Sequence, residues 1–309
     1  MTPLRFETLD GVEYGRADQV SPLIRRVIAE NPSKFTYRGT GTYIVGRGEV
    51  VVIDPGPVLD SHREALSSAL TDDTVRAILV THCHADHSPL AAWLEQETGA
   101  PTVAYGPHPR PDPEEADEEI DDGVKLEEAI DFEFSPSVVA RDGDVVFEGA
   151  GLTFTAVYTP GHTSNHLCFA MAEESALFTG DHVMGWSTTV VSPPDGDMAA
   201  YIDSLRKVAA RSDAVLWPTH GPPRHDGSEY VRALVDHRLE RERQVLDALA
   251  GGVDTIPAMV AELYADVREE LHKPAGHSVL GHLVKLVAEG RVAVADGDRP
   301  HLSSRYALT

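Results

Sequence analysis

The sequence predicts an α/β protein followed by a small C-terminal unit, and three observations predict it. Strand, turn and helix recur in two halves up to Gly221, with apolar runs of strand length marking the strands. Several of those runs end in turns that carry histidine. Past Gly221-Pro222-Pro223 the pattern shifts to apolar residues at helical spacing among Arg/Glu pairs, which divides the chain into residues 1–227 and 228–309.

Taken in order, Pro22 to Glu30 reads as a short helix bounded by Asn31-Pro32. Gly41–Gly46 and Val50–Ile53 read as strands paired across Gly46-Arg47-Gly48. Asp54 closes the second strand. A polar helical segment from His62 to Leu70 presents His62 as a surface residue. Ala77–Val80 is a buried strand, followed by a helix over 88–98 closed by Gly99 and a strand at Thr102–Tyr105. Residues 106–136 break regularity with Pro107, Pro109, Pro111 and Pro113, and Asp112 to Glu133 carries twelve acids against one Lys. That block reads as a solvated loop or as a lid over a site. Asp142–Phe147 and Leu152–Tyr158 form a hairpin region, Asn165–Ala170 and Ala176–Thr179 supply two more strands, and Met198–Arg211 is a helix before Ala214–Trp217. In the tail, helices are expected over Glu229–Leu249, from a Thr255 cap to Tyr264, and over His277–Glu289, with a hairpin of Arg291–Val294 and Arg305–Leu308. Three helices and a hairpin resemble a winged helix.

Composition narrows the function classes. With 309 residues and 42% hydrophobic content the chain can bury a full core. A net charge of −24 repels polyanions unless a local basic groove overrides it. Residues 228–309 hold thirteen acids and ten Lys/Arg with no basic run, so DNA binding by the winged helix is disfavoured; packing beside the active site or a homodimer contact is expected instead. Cys83 and Cys168 give no disulfide framework. The start lacks the apolar core of a signal peptide and no stretch is long enough to span a bilayer, so a cytoplasmic protein with no membrane partner is expected. That location counts against degrading antibiotics, a role that needs export.

The densest chemistry lies in Val80-Thr81-His82-Cys83-His84-Ala85-Asp86-His87-Ser88, where His82, His84, Asp86 and His87 fall within six residues. Imidazole with carboxylate suits Zn²⁺ or a similar first-row ion. The dense spacing offers more ligands than one tetrahedral ion needs from a single segment, and two adjacent ions sharing the loop is the economical reading. Further motifs follow strands at Thr159-Pro160-Gly161-His162, Phe178-Thr179-Gly180-Asp181-His182 and Pro218-Thr219-His220-Gly221. With Val50–Gly56 upstream, these five motifs in this order resemble the metallo-β-lactamase superfamily. The tail is similar to that of its β-lactamase-like protein 2 branch, which extends the resemblance over nearly the whole chain.

The resemblance implies an αββα sandwich and a dinuclear hydrolase. It assigns His82, His84 and His162 to one divalent ion and Asp86, His87 and His220 to the other, with Asp181 bridging. Zn²⁺ is the expected metal, and Fe²⁺ or Mn²⁺ suit the same donors. A hydroxide held between two ions would attack carbonyl or phosphorus, and Asp86 would also orient that water and shuttle its proton. Asp54 is expected to accept a hydrogen bond that orients a ligand histidine or the ligand loop, against the plainer reading of a turn Asp. Ser187, Thr188 and Thr189 lie just past Asp181 and are candidates for substrate contact, although hydroxyls in loops commonly bond their own backbone. Cys83 as a ligand is the weaker alternative. His108, His166, His225, His237, His272, His277, His282 and His301 read as structural or surface residues. The branch includes both acyl-thioester hydrolases and single-strand-RNA endonucleases. The acidity of this chain favours a small or carrier-bound ester or thioester, with RNA as the alternative and a DNA-binding regulator as a third reading.

Overall fold

The computed structural model describes residues 4–110, 130–265 and 272–309. Most of the acidic segment expected as a loop or lid, 112–133, lies outside them. Strands β1 (Ala17–Gln19), β2 (Ile24–Ile28), β3 (Gly41–Arg47), β4 (Glu49–Ile53), β5 (Thr74–Leu79), β6 (Thr102–Ala104) and β7 (Val138–Val139) form one sheet in sequence order. It is antiparallel from β1 to β4 and parallel from β4 to β7. A second sheet runs in order from β8 (Val145–Gly149) through β9 (Leu152–Tyr158), β10 (Leu167–Met171) and β11 (Ala176–Gly180) to β12 (Val215–Pro218), with only β11 and β12 parallel.

The uninterrupted apolar strands are apolar because both of their faces are covered. Alternate residues of β4 divide between two cores. Val51 and Ile53 face the second sheet, where Tyr43, Leu79, Phe154, Phe169, Phe178 and Trp217 fill the space between the sheets. Val50 and Val52 face outward, against Ala65 and Leu66 of α1 (Asp60–Ala69) and Leu90, Ala91 and Leu94 of α2 (Leu90–Thr98). The far face of the second sheet buries Val157, Cys168, Leu177 and Leu216 under Tyr201, Ile202 and Leu205 of α3 (Met198–Ala209). The result is the four-layer αββα order. Asp197 caps α3 by accepting the N–H groups of Ala199 and Ala200.

Two expectations are overturned here. Residues 24–28 form strand β2, not a helix, because pairing between β1 and β3 overrides local preference and Ile24, Val27 and Ile28 are β-branched residues suited to a buried strand. His62 is buried, not on the surface: α1 turns it inward, where Nε2 meets Thr42 Oγ1 at 2.9 Å and the Pro55 carbonyl at 3.1 Å.

The tail consists of α4 (Gly227–Ala250), α5 (Ile256–Leu263), α6 (His272–Ala288) and the antiparallel pair β13 (Val292–Val294) and β14 (Tyr306–Leu308). Helix α4 joins the two units. Its Tyr230, Val231 and Leu234 pack with α3, whereas Val245, Ala248 and Leu249 pack with Met259, Leu283, Leu286 and Tyr306. Thr255 stands at the N-cap of α5, though its hydroxyl makes no capping bond. Among the described residues no helix is long and apolar enough to cross a membrane.

The inter-sheet core gives a stability test. Phe178 is 1% exposed and meets the edge of Tyr43 at 5.1 Å between centroids, with Phe154 beyond. Phe178→Ala leaves a cavity between the sheets and is expected to cost about 3–5 kcal/mol. Chemical denaturation checks this; a loss under about 1 kcal/mol would mean that the sheets close over the gap.

Candidate metal centre

The site assembles around Asp54, which sits fully buried at the end of β4 with φ of 48°, a left-handed conformation uncommon for a non-glycine residue. Its Oδ1 accepts the Thr81 N–H at 2.8 Å. Its Oδ2 accepts the hydroxyls of Thr81 at 2.8 Å and Thr219 at 2.9 Å, and lies 3.0 Å from His87 Nδ1. One carboxylate thus ties together the segments that carry His82, His87 and His220. Because His87 gives its Nδ1 proton to Asp54, its Nε2 is left to face the centre.

The same logic orients the other imidazoles. His162 Nδ1 donates to the Val190 carbonyl at 2.7 Å and His220 Nδ1 to the Gly39 carbonyl at 3.3 Å. His82 Nδ1 lies 3.0 Å from Thr81 Oγ1, whose own proton goes to Asp54. Each of these rings therefore turns Nε2 inward. His84 Nδ1 lies 2.9 Å from His82 Nε2 and 3.2 Å from His162 Nε2, so three ring nitrogens converge on one point. Beside them, Asp86 Oδ2 lies 3.4 Å from His87 Nε2 and 3.2 Å from His220 Nε2. Asp181 faces both groups: Oδ1 is 3.6 Å from His87 Nε2, and Oδ2 is 3.4 Å from His220 Nε2 and 3.9 Å from His162 Nε2.

These donors fit divalent cations. Lone pairs that point at one another from buried groups repel unless positive charge lies between them, and His87 Nε2 and Asp181 Oδ1 are buried atoms with no hydrogen-bond partner. The titration of the bare residues says the same. Burial, reinforced by His162, lowers His84 to about 3. Burial also works against a proton on His87, yet Asp86, Asp181 and Asp54 outweigh it and raise that ring to about 9. The carboxylates of Asp86 and Asp181 fall below the usual range because His87 and His220 more than offset the cost of burial. The pocket calls for positive charge, and without a metal it would take protons to obtain it.

Several supports were not singled out in the sequence. Thr40 donates its hydroxyl to Asp86 Oδ2 at 2.7 Å and accepts from Asn31 Nδ2 at 2.9 Å. His166, expected as a structural or surface histidine, is fully buried under the centre; its Nε2 accepts the Asp181 N–H at 3.3 Å while Nδ1 meets Thr159 Oγ1 at 2.9 Å. Gly180 has φ of 51°, and a Cβ there would come within 2.7 Å of His166 Nε2 and 2.8 Å of Thr81 Oγ1. A side chain there would push β11 off the site. Thr189, a candidate substrate contact, is buried and donates to the carbonyls of Asp181 and His182, while Ser187 bonds the Thr188 carbonyl. Thr188 is half-buried beside them. From α4, the buried Arg238 guanidinium donates to the Thr189 carbonyl and lies 5.3 Å over the ring of Tyr201, whose hydroxyl donates to His182 O. Cys83 is no ligand here: its sulfur faces Asn165 Nδ2 and the Gly106 carbonyl, and burial pushes the thiol up to about 12.

The signature of the Metallo-beta-lactamase superfamily matches residues 37–220, and that of the Beta-lactamase associated winged helix domain matches residues 255–299. A lactamase-like protein, ptaB, of Pestalotiopsis fici is 30% identical over 88% of this chain and 82% of its own length. An atrochrysone carboxyl ACP thioesterase, dmxR1, of a Cryptosporiopsis species is 31% identical over 89% of this chain and 83% of its own length. Among solved structures, a beta-lactamase domain protein from Burkholderia ambifaria superposes with a TM-score of 0.76 at 21% identity, covering 97% of this chain and 96% of that one. This last likeness speaks to fold alone. With the fold, the motifs and the signatures in agreement, the chain belongs to the metallo-beta-lactamase superfamily of hydrolases and carries the winged helix domain associated with it.

Proposed function

We propose that this chain is a dinuclear metal-dependent hydrolase of acyl thioesters, small or carrier-bound. The observation that carries the reading is Asp181 facing two ligand groups at once. The thioester assignment draws on relatives named as ACP thioesterases that align along 85–89% of the chain. His82, His84 and His162 would hold one ion and Asp86, His87 and His220 the other, with Asp181 shared. Zn²⁺ suits this mixture of imidazole and carboxylate, and Fe²⁺ or Mn²⁺ take the same donors. When bound, such ions supply a water of lowered pKa and polarise the substrate carbonyl.

The chain's own residues position the reaction. Asp54 fixes the His87 tautomer and the Thr81 and Thr219 segments, while His166 and Thr189 hold the backbone of Asp181. Thr40 orients Asp86, the carboxylate placed to accept the proton of the attacking water. The leaving thiolate needs little help, since an ordinary thiol has a pKa of about 8.5. A polyanionic RNA would have to overcome the net charge of −24.

Three experiments test this. His84→Ala is expected to lose bound metal and activity together while the protein stays folded, read by metal analysis beside circular dichroism. Asp54→Asn, which keeps the shape, should weaken metal binding about 10–100-fold; unchanged affinity would remove Asp54 from its orienting role. For the reaction, metal-loaded protein and its Asp86→Ala variant are compared on an acyl thioester and a fluorescent single-stranded RNA. Thioester cleavage lost in the variant supports the reading. RNA cleavage lost in the variant, with the thioester intact throughout, replaces it with a nuclease.

A further inference from the structure

The segment that enters the centre at Gly39 and Thr40 begins as a tightly fixed turn. Ser33 Oγ accepts the N–H groups of Phe35 and Thr36, at 3.0 and 3.2 Å, and the Ser33 carbonyl accepts that of Tyr37 at 3.0 Å. Thr36 returns its hydroxyl to the Asn31 carbonyl. Tyr37 has φ of 57°, a second non-glycine residue held left-handed next to the site. Its ring stacks on Trp186 at 4.7 Å and 14°. Trp186 in turn packs so closely over Gly221 that a Cβ there would lie 2.6 Å from the indole. Tyr37 and Trp186 thus form a half-buried wall between the loop that follows Asp181 and the turn that follows His220.

Two cations project from this rigid turn. Lys34 and Arg38 are exposed, each lying over a neighbouring ring: Lys34 over Phe35 at 4.9 Å, and Arg38 over Tyr37 at 5.2 Å. Neither meets a carboxylate among the described residues, although the chain holds 50 acids against 26 Lys and Arg. Other cations of the surface, such as Arg16, Arg76, Arg206 and Arg243, do pair with acids. These two cations, with no carboxylate partner among the described residues, sit on a fixed turn that runs directly into Gly39, whose carbonyl orients His220, and so are placed to meet an anion entering with the substrate.

We infer that Lys34 and Arg38, supported by the Tyr37–Trp186 wall, bind the phosphate of a phosphopantetheine arm and so select thioesters carried on such an arm. This rests on the thioester reading above and adds to it a recognition site remote from the bond that breaks. The phosphodiester lies many bonds from the thioester, so it stays at the rim while the acyl carbonyl reaches the ligand cluster. Arg38 offers a planar fork suited to two phosphate oxygens, and Lys34 a second point charge. Both a carrier protein and free coenzyme A present this chemistry; the carrier is the source inferred here.

The test compares the wild type with the Lys34→Glu/Arg38→Glu double variant on three substrates with the same acyl group. These are a thioester on a holo carrier protein, a coenzyme A thioester, and a truncated pantetheine thioester without phosphate. Charge reversal is expected to lower kcat/KM about tenfold on the carrier thioester, mainly through KM, with a far smaller change on the truncated one. The loss should shrink as salt is raised. Arg38→Lys should recover part of it. An equal change on all three substrates, or none on any, overturns the inference. A loss on coenzyme A alone assigns the site to the free thioester and overturns the carrier assignment. Wild-type protein that cleaves RNA and none of the thioesters would instead overturn the reading on which the inference stands.

Discussion

A carboxylate sealed from solvent decides where the ligand loops end. Burying Asp54 costs several kcal/mol on its own. Four hydrogen bonds from three residues, Thr81, His87 and Thr219, offset that cost, and each charge-assisted bond contributes about 1.5–3 kcal/mol. The offset holds only while β4, β5 and β12 end at the same rim, so the sandwich and the centre specify one another. Asp54 also takes up the strained turn out of β4, bringing its carboxylate under the candidate ligands.

The winged helix tail is coupled to that centre through backbone, not through ligands. Helix α4 begins in the core of the sandwich and ends in the core of the tail. Midway, Arg238 sits 2% exposed, with carbonyl and aromatic partners and no carboxylate partner among the described residues. With Ser278 Oγ as a further, longer partner at 3.4 Å, this buried guanidinium stays satisfied while the Thr189 carbonyl and the Tyr201 ring keep their positions. Thr189 is the residue whose hydroxyl holds the carbonyls of Asp181 and His182. The tail therefore stiffens the loop behind Asp181, a task that needs no basic surface and agrees with the tail's own balance of acids over bases.

Much of this was legible in the sequence because the chemistry is local there. His82, His84, Asp86 and His87 stand within six residues, and the later motifs each end an apolar run. The structure brings all seven candidate ligands together. What sequence could not supply was contact across distance. Thr40 and Asp86 are 46 residues apart, and Thr219 and Asp54 165 apart, so nothing in either segment announces the pair. One signal was there: Thr stands directly before His at 81–82 and again at 219–220, and both hydroxyls converge on Asp54. The failure at residues 22–30 has a different cause. A short run with Ile24, Val27 and Ile28 fits either period, and only the neighbouring strands on both sides decide it.

Charge bears on how an acidic protein would take the anionic substrate arm proposed above. At a distance the −24 surface opposes any anion, but beyond a Debye length of about 8 Å that opposition is largely screened. Closer in, what matters is which groups line the entrance. Around the ligands the carboxylates Asp54, Asp86 and Asp181 are all turned inward toward hydrogen-bond donors and imidazoles, so their charge is taken up before it reaches the rim. The turn at 33–38 leaves Lys34 and Arg38 exposed, with no carboxylate partner among the described residues. An arm with a single phosphate can satisfy that small positive patch, whereas an RNA strand would carry its further phosphates across a surface dominated by acids. On the proposed reading, the same arrangement that would admit one anion would discriminate against many.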